Sequence, residues 1–165
     1  MRYTDKIALI LNDDEVMRSL LVEMLRPFQF ALIRKADSVL DLQKMDALEK
    51  VDLCIVDWVL RGTDGPRFLH RLRRGGFNLR PDVRTVLTID AADRETVLQA
   101  RDAGANAVIG KPFSRQMVGN AVTRALEDGR PFVVSPTYVG PDRRVRRIAV
   151  PEDRREREAA SRTAA

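Results

Sequence analysis

The sequence predicts a doubly wound α/β fold, in which helices cover both faces of one parallel β-sheet. Five short aliphatic segments alternate with five segments of helical periodicity, and several of the aliphatic segments run directly into acidic or hydroxyl residues. Because each crossover between parallel strands is right-handed and packs back onto the sheet, this alternation favours a single sheet of five strands with five helices.

The first strand candidate is Lys6 to Leu11, and apolar residues at helical spacing follow it until Pro27 ends the first helix. The segment FALIRKA is the second strand candidate. The sequence DSVLDLQKMDALEK then reads as one helix, with Asp37 or Ser38 capping its start. These segments supply the first two strand–helix units.

Leu53 to Val56 forms the third strand, and Pro66 suits the first turn of the helix that follows it. The segment RTVLTI is the fourth strand, and the fourth helix extends from about Asp93 to Ala103. These elements continue the alternation into the second half of the chain.

The segment ANAVI is the fifth strand, and Ser114 begins a last helix with apolar residues at helical spacing. We therefore expect a folded domain over residues 1–129. Residues 130–165 form a basic tail rich in proline and arginine, which we expect to be partly docked on the domain or disordered.

Composition limits the class of protein. The net charge is +5, but residues 130–165 hold nine arginines against five acids, so most of the excess lies in the tail. A single cysteine, Cys54, excludes an intrachain disulfide and a cysteine-rich zinc site. No segment of the sequence reads as a membrane span or a secretory signal, so a cytoplasmic location is the expectation.

Polar side chains follow four of the predicted strands. Asp13 and Asp14 end the first, Asp57 ends the third, Thr88 lies at the end of the fourth, and Lys111 follows the fifth. Ligand sites of open α/β sheets lie at the carboxyl ends of the strands, so we expect three acids, a hydroxyl and an ammonium to converge there.

This combination of groups suits phosphoryl transfer onto a carboxylate. Clustered carboxylates repel one another unless a cation lies among them, and oxygen ligands favour Mg²⁺. The metal would keep the acids ionised and neutralise the transferred group, while Lys111 and Thr88 contact its oxygens. The product would be an aspartyl phosphate.

From about Lys6 to Asp128, the chain resembles a response-regulator receiver domain of the chemotaxis-regulator type. The matching motifs are the acidic pair, Asp57 within CIVDWVLRGTDG, Thr88, and the KPF that begins at Lys111. The resemblance implies a flavodoxin-like sheet with strand order 2-1-3-4-5 in a bacterial two-component system.

The resemblance also implies a role for each matched residue. Asp57 would be the phosphoacceptor and Asp14 a direct Mg²⁺ ligand. Asp13 would act through water, and the backbone carbonyl of Val59 would be a further ligand. Thr88 and Lys111 would be the switch hydroxyl and the phosphate-binding lysine.

Four positions depart from the family pattern, and one of them, Val59, is apolar where relatives often have a polar side chain. Val108 occupies the position where an aromatic ring usually rotates inward, so any switch would act through backbone and helix shifts. Ile89 replaces a very small residue beside Thr88, and we hypothesise that it restricts access to Asp57. Gly110 is unusual directly before the lysine, and its role is not assigned.

Three functional classes follow from these observations. The leading one is a single-domain response regulator that is phosphorylated from a phosphohistidine on a sensor kinase or phosphotransfer protein. It would catalyse only its own phosphorylation and dephosphorylation, and would signal through protein contacts or shuttle phosphate. The alternative is a phosphate-independent receiver-like binding module. A haloacid-dehalogenase-like phosphatase would need an aspartate at Val59.

The partners are less specified than the chemistry. Nucleic-acid recognition by the tail is disfavoured, because acids interrupt its arginines and no helix-turn-helix pattern is present. A protein contact and a solubilising role remain open for the tail, and so does a homodimer through the fourth and fifth helices. The downstream target is unknown.

Overall fold

The computed structural model describes residues 2–90 and 93–144. The helices are α1 (Glu15–Leu25), α2 (Val39–Gln43), α3 (Gly65–Arg73), α4 (Arg94–Asp102) and α5 (Arg115–Leu126). The strands are β1 (Ile7–Leu11), β2 (Leu32–Ala36), β3 (Leu53–Asp57), β4 (Val59–Leu60), β5 (Thr63–Asp64), β6 (Arg84–Ile89), β7 (Ala107–Gly110), β8 (Phe132–Val134) and β9 (Val139–Pro141). Short 3₁₀ turns cover Arg26–Phe28 and Leu48–Lys50.

Five of these strands form one parallel sheet in the order β2-β1-β3-β6-β7. Since β6 and β7 are the fourth and fifth predicted strands, the predicted order 2-1-3-4-5 is confirmed. The two very short strands β4 and β5 pair with each other in the loop after β3, and β8 pairs with β9 in an antiparallel hairpin. The sheet therefore has the doubly wound architecture that the alternation predicts.

Alternate side chains of the central strands enter two separate cores. Leu9, Cys54 and Leu87 pack with α2, α3 and α4 on one face of the sheet. Ile10 and Ile55, in contrast, pack with α1 and α5 on the other face. This alternation follows from the two-residue period of a strand, and it determines which strand-end side chains share a face.

The predicted second helix is shorter than the sequence indicates. Ser38 caps α2 as expected, but the helix ends at Gln43, and Ala47 adopts a left-handed conformation with φ of 54°. Leu42 and Leu48 are both buried in the same core. A continuous helix would place residues six positions apart about 120° from each other around its axis, so breaking it lets both leucines face the sheet.

The hairpin β8–β9 packs on the receiver-like part of the chain. Arg143 Nη1 lies 2.8 Å from Asp102 Oδ1 at the end of α4, and the buried Tyr138 hydroxyl donates to the Pro141 carbonyl at 2.6 Å. A Cβ added to Gly104, whose φ is +95°, would lie 3.0 Å from the Val139 carbonyl oxygen. The hairpin thus fits closely against the turn that precedes β7.

Arg73 of α3 is buried beside this hairpin. Its guanidinium donates to the carbonyls of Gly104 and Val83 and to the Thr85 hydroxyl, and it lies 5.7 Å from the centre of the Phe132 ring. Burial lowers the pKa of Arg73 to about 10. These acceptors lie in β6, just before it and in the turn before β7. The Arg73 side chain therefore links these segments at the amino-terminal end of the sheet.

Cys54 lies at the centre of β3 and is fully buried. Burial raises the pKa of its thiol to about 12, although the Arg73 charge acts in the opposite direction. Among the described residues, no helix is both long and apolar enough to cross a bilayer. Residues 145–165, which make up most of the predicted tail, lie outside the described residues.

Candidate functional site

Asp57 ends β3 and is nearly buried, with a relative accessibility of 5%. Its partner in the sheet register is Thr88 of β6, and the Thr88 hydroxyl donates to Asp57 Oδ1 at 2.5 Å. Asp57 lies two residues after Ile55, and Thr88 lies two residues after Val86. Both side chains are therefore on the face of the sheet that packs against α1 and α5. Strand register therefore determines the contact between the predicted phosphoacceptor and the predicted switch hydroxyl.

Lys111 approaches Asp57 from the loop after β7. Its Nζ lies 2.7 Å from Asp57 Oδ1 and 3.1 Å from Asp90 Oδ1. The Lys111 N–H also donates to the Ile89 carbonyl at 2.7 Å, which fixes the start of the loop against β6. Burial lowers the pKa of the ammonium, but its hydrogen bonds to Asp57 and Asp90 outweigh this effect and raise the pKa above its ordinary value.

Asp90 is a contact that sequence reasoning missed. It follows β6 directly and is exposed, so its carboxylate shares Lys111 with Asp57 from the solvent side. The available signal was its position, because an acid immediately after a predicted strand belongs to the same edge of the sheet as Asp57. The ammonium thus lies between two carboxylates.

Asp14 differs from its predicted role as a direct metal ligand. It is exposed, and its Oδ1 accepts the N–H groups of Val16 and Met17 at 2.8 and 3.0 Å. This is the geometry of a helix N-cap, in which the carboxylate satisfies amides that have no partner within the first turn. The second acid of the pair therefore serves α1, and we correct its assignment as a ligand.

Asn12 occupies the strand-end position that the acidic pair was expected to fill. It is 1% exposed, and its N–H continues the ladder of β1 by donating to the Ala36 carbonyl at 3.1 Å. Its Oδ1 accepts the Asp14 N–H at 2.8 Å, whereas its Nδ2 is buried without a hydrogen-bond partner among the described residues. The sequence could have indicated this position, because an aspartate directly before a helix is a typical N-cap. With Asp14 as the cap of α1, Asn12 and Asp13 are left at the end of β1.

The predicted metal ligands are only partly assembled. Asp13 is half-buried and makes no hydrogen bond or ion pair within the described residues. The Val59 side chain is exposed, and its backbone pairs with Asp64 in the β4–β5 turn. Within residues 2–90 and 93–144, no group of three or more histidine, cysteine, aspartate or glutamate side chains is arranged to hold a metal ion.

The loop after β3 stays close to Asp57. The Trp58 N–H donates to the Thr88 carbonyl, and the Gly65 N–H donates to the Trp58 carbonyl, each at 2.8 Å. A Cβ on Gly65 would lie 2.6 Å from the Asp57 carbonyl oxygen, so this close approach requires glycine. Trp58 is half-buried next to Asp57 in the chain and is the only tryptophan.

Ile89 does not have the position that our access hypothesis requires. Its side chain is fully buried in the core formed with α2, α3 and α4, on the opposite face of β6 from Thr88. Half-buried Val108 packs against the same core and lines a surface recess with Val97 and Gly110. Ile89 is thus a core residue under α4, and the recess marks the position where an aromatic ring was expected.

Comparisons with known proteins agree on one family. Residues 8–123 match the model of the response regulator receiver domain. The chain is 27% identical to the phosphate regulon transcriptional regulatory protein PhoB of Pseudomonas aeruginosa over 136 residues, which are 82% of this chain and 58% of that protein. It is 30% identical to the chemotaxis protein CheY-3 of Vibrio cholerae over 124 residues, which cover 72% of this chain and 90% of that protein.

The same likeness is present among solved structures. A crystal structure described as that of a response regulator from Chloroflexus aurantiacus has a TM-score of 0.65 and 26% sequence identity. The similar region covers 73% of this chain and 97% of that one.

Proposed function

The chain belongs to the response regulator receiver family, and from this premise we propose that it receives a phosphoryl group on Asp57 in a two-component or phosphorelay system. One observation carries the proposal: a nearly buried carboxylate has both a lysine ammonium and a threonine hydroxyl on a single oxygen. These two groups are the donors that the oxygens of a phosphoryl group need.

The remaining carboxylate oxygen is the nucleophile in this proposal. Asp57 Oδ2 has no hydrogen bond among the described residues, whereas Oδ1 has two donors. Oδ2 attacks the phosphorus of a phosphohistidine, a P–O bond forms, the P–N bond breaks, and the imidazole nitrogen keeps the bonding electron pair and takes a proton. Lys111 and Thr88 then donate to the transferred oxygens.

The carboxylates present fit Mg²⁺, which usually keeps several waters and uses one or two protein carboxylates. Asp57 and Asp13 would supply them, and the Val59 carbonyl would be a further ligand. Asp14 is excluded from this set because it caps α1. The ion would neutralise charge on the transferred phosphoryl group. The hydrogen-bond donors, Lys111 and Thr88, are positioned by the fold of the chain.

The partners follow from this chemistry. A sensor histidine kinase or a phosphotransfer protein would supply the phosphoryl group, and a protein target would respond to it. The chain would catalyse only its own phosphorylation and dephosphorylation, in the cytoplasm. A homodimer through α4 and α5 and a protein contact by the tail, residues 130–165, are further expectations.

The test is covalent modification of the full chain. With Mg²⁺ and either acetyl phosphate or phosphoramidate, intact mass spectrometry is expected to show the addition of one phosphoryl group, which Asp57→Asn abolishes. The control is Asp82→Asn, because Asp82 is exposed and precedes β6, at the opposite end of that strand from Thr88. This variant is expected to react like the wild type.

The opposite result identifies the alternative. If neither donor modifies the wild type, and beryllofluoride with Mg²⁺ leaves Trp58 fluorescence unchanged, the phosphate-independent binding module is the better description. Modification that persists in Asp57→Asn would place the acceptor elsewhere.

A further inference from the structure

The buried Asn12 amide has an unused hydrogen-bond donor at the site. Asn12 is 1% exposed, and its Nδ2 has no partner among the described residues. A buried amide hydrogen without an acceptor is destabilising, so its retention calls for an acceptor that arrives later. Neither the capping of α1 nor the contacts of Lys111 explain this donor.

The sheet register places Asn12 beside Asp57. Leu11 pairs with Val56, and the Asn12 N–H continues the β1–β2 ladder, so continuing the β1–β3 register by one residue brings Asn12 next to Asp57. Asn12 follows Ile10 by two positions, and Ile10 lies on the face of α1 and α5, as Asp57 does. Asp57 is therefore flanked by Thr88 of β6 on one side and by Asn12 on the other.

The orientation of the amide is fixed by the backbone. The Asp14 N–H needs an acceptor, and Asn12 Oδ1 lies 2.8 Å from it, so a flipped amide would place two donors against each other. Nδ2 is consequently the atom that faces away from this turn. Because an NH₂ group donates and cannot ligate a cation, its complement is an oxygen acceptor.

We propose that Asn12 is a positioning residue whose Nδ2 donates to an oxygen of the phosphoryl group on Asp57, from the flank opposite Thr88. This inference rests on the proposed function. Thr88 and Lys111 both donate to Oδ1, whereas the sheet register places Asn12 on the side of Asp57 next to β1. The phosphoryl group is then held by donors from β1, β6 and the loop after β7.

Two substitutions separate the donor from the charge at this position. Asn12→Asp keeps the acceptor for the Asp14 N–H, loses the donor and adds a negative charge. Asn12→Ala loses the side-chain amide without adding charge. The matched control is Asn120→Asp, which makes the same chemical change at an exposed position of α5.

The experiment titrates the full-length variants with Mg²⁺ and then, at saturating Mg²⁺, with beryllofluoride, using Trp58 fluorescence. Both Asn12 variants are expected to bind beryllofluoride at least about tenfold more weakly than the wild type, since a hydrogen bond to a charged group is lost. Asn12→Asp is also expected to bind Mg²⁺ more tightly, because it adds a carboxylate near the ion. The Asn120 control is expected to match the wild type in both titrations.

Weaker beryllofluoride binding in both variants is the signature of the donor, because Asn12→Ala loses the amide without adding a charge that would repel the anionic ligand. A purely structural defect in Asn12→Ala would weaken Mg²⁺ binding as well. Beryllofluoride affinity in Asn12→Ala equal to or higher than that of the wild type overturns the inference. A wild-type protein that binds no beryllofluoride overturns the proposed function as well.

Discussion

Asp13 and Asp14 are neighbours in the sequence, but they have different environments and therefore different roles. Asp14 lies where the chain enters α1, and one of its oxygens accepts two backbone amides. Asp13 precedes it, is half-buried and has no such partner. Two identical neighbouring residues therefore have different chemical tasks.

Substitution of each acid separates these tasks. Asp14→Ala is expected to lower the free energy of unfolding by about 1 kcal/mol through loss of the cap, while leaving Mg²⁺ affinity unchanged. Asp13→Ala is expected to reduce Mg²⁺ affinity at least about tenfold with little effect on stability, because it removes a ligand. Urea denaturation and Mg²⁺ titration by Trp58 fluorescence measure the two quantities.

Asp14→Ser is the matched control, since serine also caps helices and should recover most of the lost stability. If Asp14→Ala loses Mg²⁺ binding and Asp13→Ala keeps it, the proposed ligand assignment is wrong.

The hairpin β8–β9 is connected to the receiver fold through a polar joint at the end of α5. Asp128 accepts from Arg130 Nη2 at 2.6 Å and from Asn106 Nδ2 at 2.8 Å, and Arg130 also donates to the Asn106 carbonyl. Burial raises the pKa of Asp128, but the hydrogen bonds from Arg130 and Asn106 outweigh it and lower the pKa to about 2. The joint thus depends on an ionised carboxylate.

This joint predicts a pH dependence in acid. A carboxyl group whose folded pKa is depressed stabilises the protein fully above its unfolded pKa near 3.8, and this stabilisation is lost as the pH falls toward about 2. Asp128→Asn is therefore expected to cost about 1–2 kcal/mol at pH 7, and the difference from the wild type should shrink as the pH falls below about 4.

Urea denaturation at a series of pH values measures this difference. The exposed Asp82→Asn variant serves as the reference for a general effect of charge. A wild-type advantage over Asp128→Asn that is unchanged at pH 2.5 would contradict the prediction.

For the chain as a whole, the sequence predicts the features that follow from the repeated alternation of strands and helices. It misses the features that depend on a contact between individual residues. Aliphatic segments and helical periodicity lead to the correct parallel sheet, because the central strands β1, β3 and β6 are buried on both faces. The contacts of Asp57 with Thr88 and Lys111 were also expected, since strand ends converge at one edge. These features depend on pattern and topology alone.

The features that were missed have local causes. Asp14 was assigned to the metal from the resemblance, because the acidic pair alone does not show which of its residues caps the next helix. The break after α2 depends on Leu42 and Leu48 sharing one core, which periodicity over a short window does not reveal. The hairpin form of the segment after α5 was also missed, because its fit depends on close backbone approach at Gly104 and a glycine alone does not predict which segment will approach it.

The buried Cys54 can report how often the central strand opens, because its thiol is inaccessible in the folded protein. Its thiol has no exposure and a pKa near 12, so a thiol reagent can react only when the central strand opens. The rate of labelling is thus expected to equal the rate of global opening when labelling of the open state is faster than reclosing, and to fall when Mg²⁺ and beryllofluoride stabilise the folded state.

Mass spectrometry of the wild type, incubated with an excess of N-ethylmaleimide, follows this rate directly. Cys54→Ala provides the blank, and the urea-unfolded wild type gives the upper limit of the labelling rate. Rapid labelling of the native protein that ligands do not slow would show that β3 opens without the rest of the sheet. Slow labelling would mean that the reaction of the Cys54 sulfur reports the lifetime of the folded state.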